Sequence, residues 1–283
     1  MPVDSSVSYP TEIGNWIDNK ECKAVSGDFF SKLSPATGEV LLQVARSGKT
    51  DVKAAVESAK RAQIDWAQAT PVSRGDVLRA ASMILRERAD ELAKIVALET
   101  GKSVKDALGE VGAAVEMGFF VAGEGRRFYG KTTTSAVPNK AAFIVRQPLG
   151  VAGLIIAANT PIANVAWKVF PALLCGNAAV LKSSEDTPLT AWMCAKIFCE
   201  AGVPAGVLNV VHGFGEEAGA PLVDHPDVAL ISFTGSTEVG RMIQKIAGAR
   251  LAKVCLELGG KNPLIVCDDA DLDKAVEAAV MSA

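Results

Sequence analysis

Histidine is nearly absent, with His212 and His225 the only two in 283 residues, and none of the six cysteines stands in CxxC spacing with another. Structural and catalytic zinc sites need closely spaced Cys and His, so this scarcity argues against a metal centre. It argues equally against a Ser-His-Asp centre and a disulfide scaffold. The cysteines (Cys22, Cys175, Cys194, Cys199, Cys255, Cys267) are scattered, and several keep apolar company, as in Ala172-Leu173-Leu174-Cys175, where packing is the ordinary role. An excess of positive charge is missing too: the formal charge is −3 and the pI about 5.6. Nucleic-acid surfaces rely on clustered Lys and Arg. Here Lys60-Arg61 interleaves with Glu57 and Asp65, the pattern of a solvated helix face. No apolar run approaches the roughly 18 residues that span a bilayer, and residues 1–9 lack the basic and apolar regions of a signal peptide. The expectation is a reduced, cytoplasmic protein with no nucleic-acid or membrane partner.

Hydrophobic residues make up 49% of the chain and charged ones 22%, a globular composition at a length that suits one large or two ordinary domains. The first half reads as mainly helical. Apolar positions recur at Val52, Ala55, Val56, Ala59, Ala62 and Trp66, with Thr50 or Asp51 as N-cap. A second helical stretch runs from about Ser73 to Glu99 and stops at Gly101; a third runs from about Ser103 to the glycine-rich residues 123–130. Residues 131–147 are polar and β-rich. From Gly150, short apolar runs at 151–157, 178–181, 207–211, 228–233 and 254–258 alternate with helical segments after Pro161 and at 187–200, 216–223 and 236–247. That alternation predicts an α/β fold, a parallel sheet with helices on both faces that binds ligands beyond the carboxyl ends of its strands.

Five segments carry candidate chemistry, and each has a bland reading beside the sharp one. In Phe233-Thr234-Gly235-Ser236, an apolar strand runs into Gly-Ser at a helix start, a place for a pyrophosphate or an ordinary capped turn. Gly213-Phe214-Gly215 with Gly219 resembles a dinucleotide fingerprint with the wrong spacing, so turn glycines explain it as well. Lys182-Ser183-Ser184-Glu185 puts a carboxylate after a strand, where it can hold ribose hydroxyls or simply start a helix. Glu257, flanked by Leu256 and Leu258, reads as a buried carboxylate of raised pKa suited to a general base, or as an outward-pointing strand residue. Asn159 follows a strand and can donate to an oxyanion or close a turn.

In this order the segments resemble the aldehyde dehydrogenase superfamily. The match runs through Pro148-Leu149-Gly150-Val151, Asn159-Thr160-Pro161, Lys168 with Pro171-Ala172-Leu173 and Gly176-Asn177, Lys182-Ser183-Ser184-Glu185 with Thr187-Pro188, Phe233-Thr234-Gly235-Ser236 and Glu257-Leu258-Gly259-Gly260-Lys261. The resemblance implies a cysteine-based oxidation of an aldehyde to an acid, with hydride passing to NAD, less readily to NADP. It implies catalytic roles for Asn159 (oxyanion donor), Glu257 (general base) and Lys168. Ile156, Lys182, Glu185, Gly215, Phe233, Gly235, Ser236, Leu258 and Gly259 would contact the cofactor, and Thr160, Ala163, Asn164 and Trp167 would line the aldehyde tunnel. It further implies a Rossmann-like coenzyme domain over residues 1–130 and 149–259, an oligomerisation arm at 131–148 serving a homodimer or homotetramer, and the start of a catalytic domain at 260–283.

There are two departures. Ala157-Ala158 stand where the family has Pro-Trp, which alters the wall beside the oxyanion site. The family's catalytic cysteine belongs to a segment after Gly259-Gly260-Lys261 that would lie beyond Ala283, so the expectation is a truncated chain, most of its catalytic domain missing and inactive alone. A CoA-acylating relative is the alternative within the family, disfavoured by Glu257; a binding or scaffolding role for a short product is the alternative outside it.

Overall fold

Five short strands precede the first helix, where sequence patterning predicts mainly helix. They are β1 (Glu12–Ile13), β2 (Asn15–Ile17), β3 (Lys20–Cys22), β4 (Phe29–Leu33) and β5 (Val40–Ala45). The computed structural model describes residues 8–282; the leader reading therefore falls largely outside the described residues, as does Ala283. The β2–β3 hairpin turns on Asp18-Asn19, both at positive φ (54° and 56°), as the right-handed twist of a tight hairpin requires.

Helix α1 (Lys49–Gln68) buries Val52, Ala55, Val56, Ala59 and Trp66 as the periodicity predicts, but its N-cap is Gly48 rather than Thr50 or Asp51. Asp51 works from inside the first turn, its carboxylate accepting from Gly48 N at 2.9 Å and Val25 N at 2.8 Å. The expected single stretch from Ser73 to Glu99 is two helices, α2 (Pro71–Glu87) and α3 (Ala89–Thr100), broken at Arg88. α3 stops at Gly101, whose φ of 77° only glycine adopts freely. α4 (Val104–Glu124) follows, capped by Ser103 Oγ, and then an exposed two-stranded ribbon, β6 (Lys131–Thr134) and β7 (Ala141–Ile144).

Strands and helices then alternate: β8 (Val151–Ile155), α5 (Pro161–Leu174), β9 (Ala178–Lys182), α6 (Pro188–Glu200), β10 (Leu208–Val211), a π-turn at Gly215–Gly219 leading into α7 (Ala220–Asp224), β11 (Val228–Gly235), α8 (Thr237–Ala249), β12 (Lys253–Leu258) and α9 (Leu272–Ser282). The main sheet is seven-stranded in the order β12-β11-β8-β9-β10-β2-β3. β8 to β12 are parallel, as expected; the antiparallel β2 and β3 extend the sheet beyond β10.

Alternation along the strands builds two cores. Ala152, Leu154, Ala179, Leu181, Leu208 and Val210 pack under α2 to α6. Val151, Ile155, Ala178, Val180, Ile231 and Phe233 pack under α1, α7 and α8. Among the described residues, no helix is long and apolar enough to cross a membrane, and no group of His, Cys, Asp and Glu could hold a metal ion.

Candidate functional site

The chain leaves β8 for β9 on one side, then returns to lay β11 on the other side of β8. The crevice beyond the carboxyl ends of such a strand pair is where open α/β sheets take ligands. Ile155 pairs with Phe233 at that end; beyond them β8 leads to Asn159 and β11 to Gly235-Ser236. The two strands thus deliver the Asn159 and Gly235-Ser236 segments to the same end of the sheet.

On the α5 side, Leu230, Ser232 and Thr234 of β11, with Cys255 and Glu257 of β12, line a cleft of about 740 Å³. Asn159, Thr160, Asn164, Trp167 and Lys168 close it from the α5 side. Lys168 is almost buried and donates from Nζ to Ser232 Oγ at 3.0 Å. Burial pushes its ammonium below the usual lysine range, opposed by Glu257 and Cys255. Trp167 is half-exposed on the cleft wall. Glu257 reaches the cleft but is exposed, so the burial expected from its leucine neighbours is absent. β12 is an edge strand, and Leu256 and Leu258 turn to the opposite face, where Leu258 lies against Gly240 of α8. Ala163 does not reach the cleft: it is buried in the first turn of α5. Asn164, expected to line the tunnel, does border the cleft but is buried, with its amide engaged by its own turn.

The ligand ends of three helices differ in charge. The first turn of α5 is occupied by Glu110, whose carboxylate accepts from Ile162 N at 2.9 Å and Ala163 N at 3.3 Å. That of α6 is occupied by Glu99, which accepts from Leu189 N at 2.7 Å, Thr190 N at 2.8 Å and Thr190 Oγ1 at 2.6 Å. At α8 only the Ser236 hydroxyl bonds the first turn, accepting from Val239 N at 3.2 Å, and no carboxylate among the described residues does so. The positive end of α8 therefore remains available to an anion. Gly235 beside it has a packing reason of its own, since a Cβ there would meet the Phe233 ring at 2.4 Å.

Lys182, buried at the end of β9, donates to Glu185 Oε2 at 2.9 Å. Partial burial acts to raise the Glu185 carboxyl, but the Lys182 ammonium prevails and holds it below the usual carboxylate range. Gly215 opens the π-turn with free space where a side chain would stand, and Gly259 likewise has nothing near it. Ile156 is buried behind β9, its N–H directed at Lys182 O. The sequence reading missed Lys102, Glu110, Ser232 and Cys255. Glu110 acts across 52 residues, and no local pattern announces such a contact.

The family model described as the aldehyde dehydrogenase family matches residues 22–283. Betaine aldehyde dehydrogenase from Staphylococcus aureus, solved in complex with NAD+, superposes with a TM-score of 0.92 at 33% identity, covering 95% of this chain and 54% of that one. An NADP-dependent enzyme from E. coli superposes with a TM-score of 0.93 at 39% identity, covering 96% of this chain and 56% of that one. The chain spans about half the length of these solved structures.

Proposed function

The chain belongs to the aldehyde dehydrogenase family, and on that premise we propose that it supplies the dinucleotide site, the oxyanion donor and the general base of an enzyme that oxidises an aldehyde to a carboxylic acid. The observation that carries this reading is the meeting of Asn159, Lys168 and Glu257 at one cleft, with the open end of α8 on the opposite face of the same strands.

The residues present fit a nicotinamide dinucleotide. The α8 terminus with Ser236 suits a pyrophosphate, Glu185 suits ribose hydroxyls, and the open space at Gly215 admits a flat ring. Phe233, Leu258, Gly259 and Ile156 would wall the site. When bound, the nicotinamide supplies a hydride acceptor. NAD is the preferred form, because Glu185 stands ionised where a 2′-phosphate would need room and positive charge.

In the cleft, the Asn159 amide donates to the aldehyde oxygen as it gains negative charge. Glu257 takes a proton from the water that attacks the acyl group. Lys168, held by Ser232, adds a fixed positive charge to the cleft floor. Trp167 and Thr160 shape the aldehyde's approach. The attacking thiol comes from outside residues 1–283, since none of the six cysteines stands in the family's cysteine motif. On this reading residues 1–130 and 149–259 form the coenzyme domain, 131–148 an oligomerisation arm, and 260–283 the beginning of the catalytic domain, in a cytoplasmic homo-oligomer.

The test is a titration of NAD into the 283-residue chain, followed by addition of aldehyde. Saturable binding with no NADH is the expected outcome, NADH forming only in an enzyme that also carries the thiol. Failure to bind any dinucleotide would overturn the reading.

A further inference from the structure

We propose that Asn164, backed by Lys102 and Glu110, is a positioning residue that turns the Asn159 amide towards the cleft; this rests on the reading of Asn159 as the oxyanion donor. An Asn side chain presents oxygen or nitrogen with nearly the same shape, so only its hydrogen bonds decide which end faces a ligand. An oxyanion donor must present nitrogen. Asn159 is itself exposed, so packing does not choose for it.

Asn164 makes that choice. It is 3% exposed, one helical turn further on, and its Nδ2 donates to Thr160 O and Thr160 Oγ1, each at 3.0 Å. The same Nδ2 lies 3.4 Å from Asn159 Oδ1. A donor on that oxygen leaves the Asn159 nitrogen for an acceptor in the cleft. The backbone is held from the other side: Lys102 Nζ donates to Asn159 O at 2.7 Å and to Glu110 Oε2 at 2.6 Å. Glu110 Oε1 in turn accepts from Ile162 N and Ala163 N. The turn from Asn159 to Ala163 is thus tied by charge-assisted bonds to α4 and its preceding loop, and its side-chain amide by Asn164. Asn164 acts on the aldehyde through Asn159 rather than by contact.

The experiment is a double-mutant cycle in an active enzyme that contains this chain. Asn164→Asp keeps the shape and replaces the donor by an acceptor; Asn164→Leu removes the donor without adding a buried charge. Each is expected to lower kcat by about 10–10²-fold, with the Kd for NAD and the KM for aldehyde little changed. In the Asn159→Ala background the same substitutions should change kcat by no more than about 2-fold, because the amide they orient is gone. Should both Asn164 variants fail to fold, Lys102→Met, at a partly exposed side chain, is read in the same cycle. An equal loss in both backgrounds, or no loss in either, overturns the proposal. Normal turnover of Asn159→Ala alone would remove the oxyanion reading first, and this inference with it.

Discussion

Lys182 Nζ stands 2.9 Å from Glu185 Oε2, with the lysine buried and the glutamate only partly so. The pair presents a carboxylate, not a cation, to whatever sits beyond β9. NAD should therefore bind this chain at least about 10-fold more tightly than NADP, and Glu185→Gln should narrow the gap. Because Lys182 holds the carboxyl below the usual range, the preference should persist down to about pH 5. Fluorescence titration of both dinucleotides at pH 5 and 8 measures it. Equal or tighter binding of NADP would sink the assignment.

Asn159→Ala, in an active enzyme that contains the chain, should lower kcat by about 10²–10³-fold while leaving cofactor affinity nearly intact. Steady-state kinetics beside a dinucleotide titration separate the two. A variant of near-normal turnover would return Asn159 to the role of a turn residue.

Glu257→Gln keeps the side chain's size and removes its basicity. On the proposed function hydride transfer precedes hydrolysis, so in an active enzyme that contains the chain this variant should still form the first equivalent of NADH in rapid mixing, and later turnovers should stall. Added hydroxylamine or thiol should relieve the stall. An unchanged steady-state rate would be fatal to the base assignment. Loss of the first equivalent as well would move Glu257 to activation of the thiol.

Glu99 makes a pH signature of its own. Burial pushes it up to about 7, despite the donors of Thr190 and Leu189. An acid that holds its proton more tightly when folded contributes stability that is fully present below its ordinary 4.5 and lost as pH rises towards 7. The loss is on the order of 3 kcal/mol. Glu99→Gln should remove that slope, while costing about 1–3 kcal/mol overall because its NH2 faces a backbone donor. Urea unfolding of both proteins at pH 5 and 7.5 compares the slopes. Identical slopes would show that Glu99 does not titrate in this range.

The parallel strands β8, β9 and β10 were legible because they are buried on both faces, so each is a short apolar run between turn signals. β11, buried on one face and half-buried on the other, still carries enough apolar residues to read the same way. The strands β1 to β5 were not legible, because runs of two to six residues are too short to show alternation. Asp18-Asn19 is the local cue there, a dipeptide that tolerates the positive φ of a tight hairpin turn. Asn159 and Ser236 could be read from their places after strands, and Lys168 only through the family resemblance, whereas Glu257's exposure depends on what covers an edge strand. Glu110 and Glu99 reach helices far along the chain, and only the folded packing of α3 and α4 reveals that their carboxylates hold α6 and α5.

β11 and β12 pair residue for residue, Thr234 with Glu257 and Gly235 with Leu258. Side chains of consecutive residues project from opposite faces, so a slip of β12 by a single position would send Leu258 into the cleft and Glu257 against α8. Neither replacement could do the other's work. Substitutions on one face can accumulate without disturbing the other, so on the proposed function aldehyde choice and dinucleotide choice can drift apart over time. An insertion or deletion within Lys253–Leu258 alters both at once, which makes the length of this strand, more than its composition, the quantity that selection must guard.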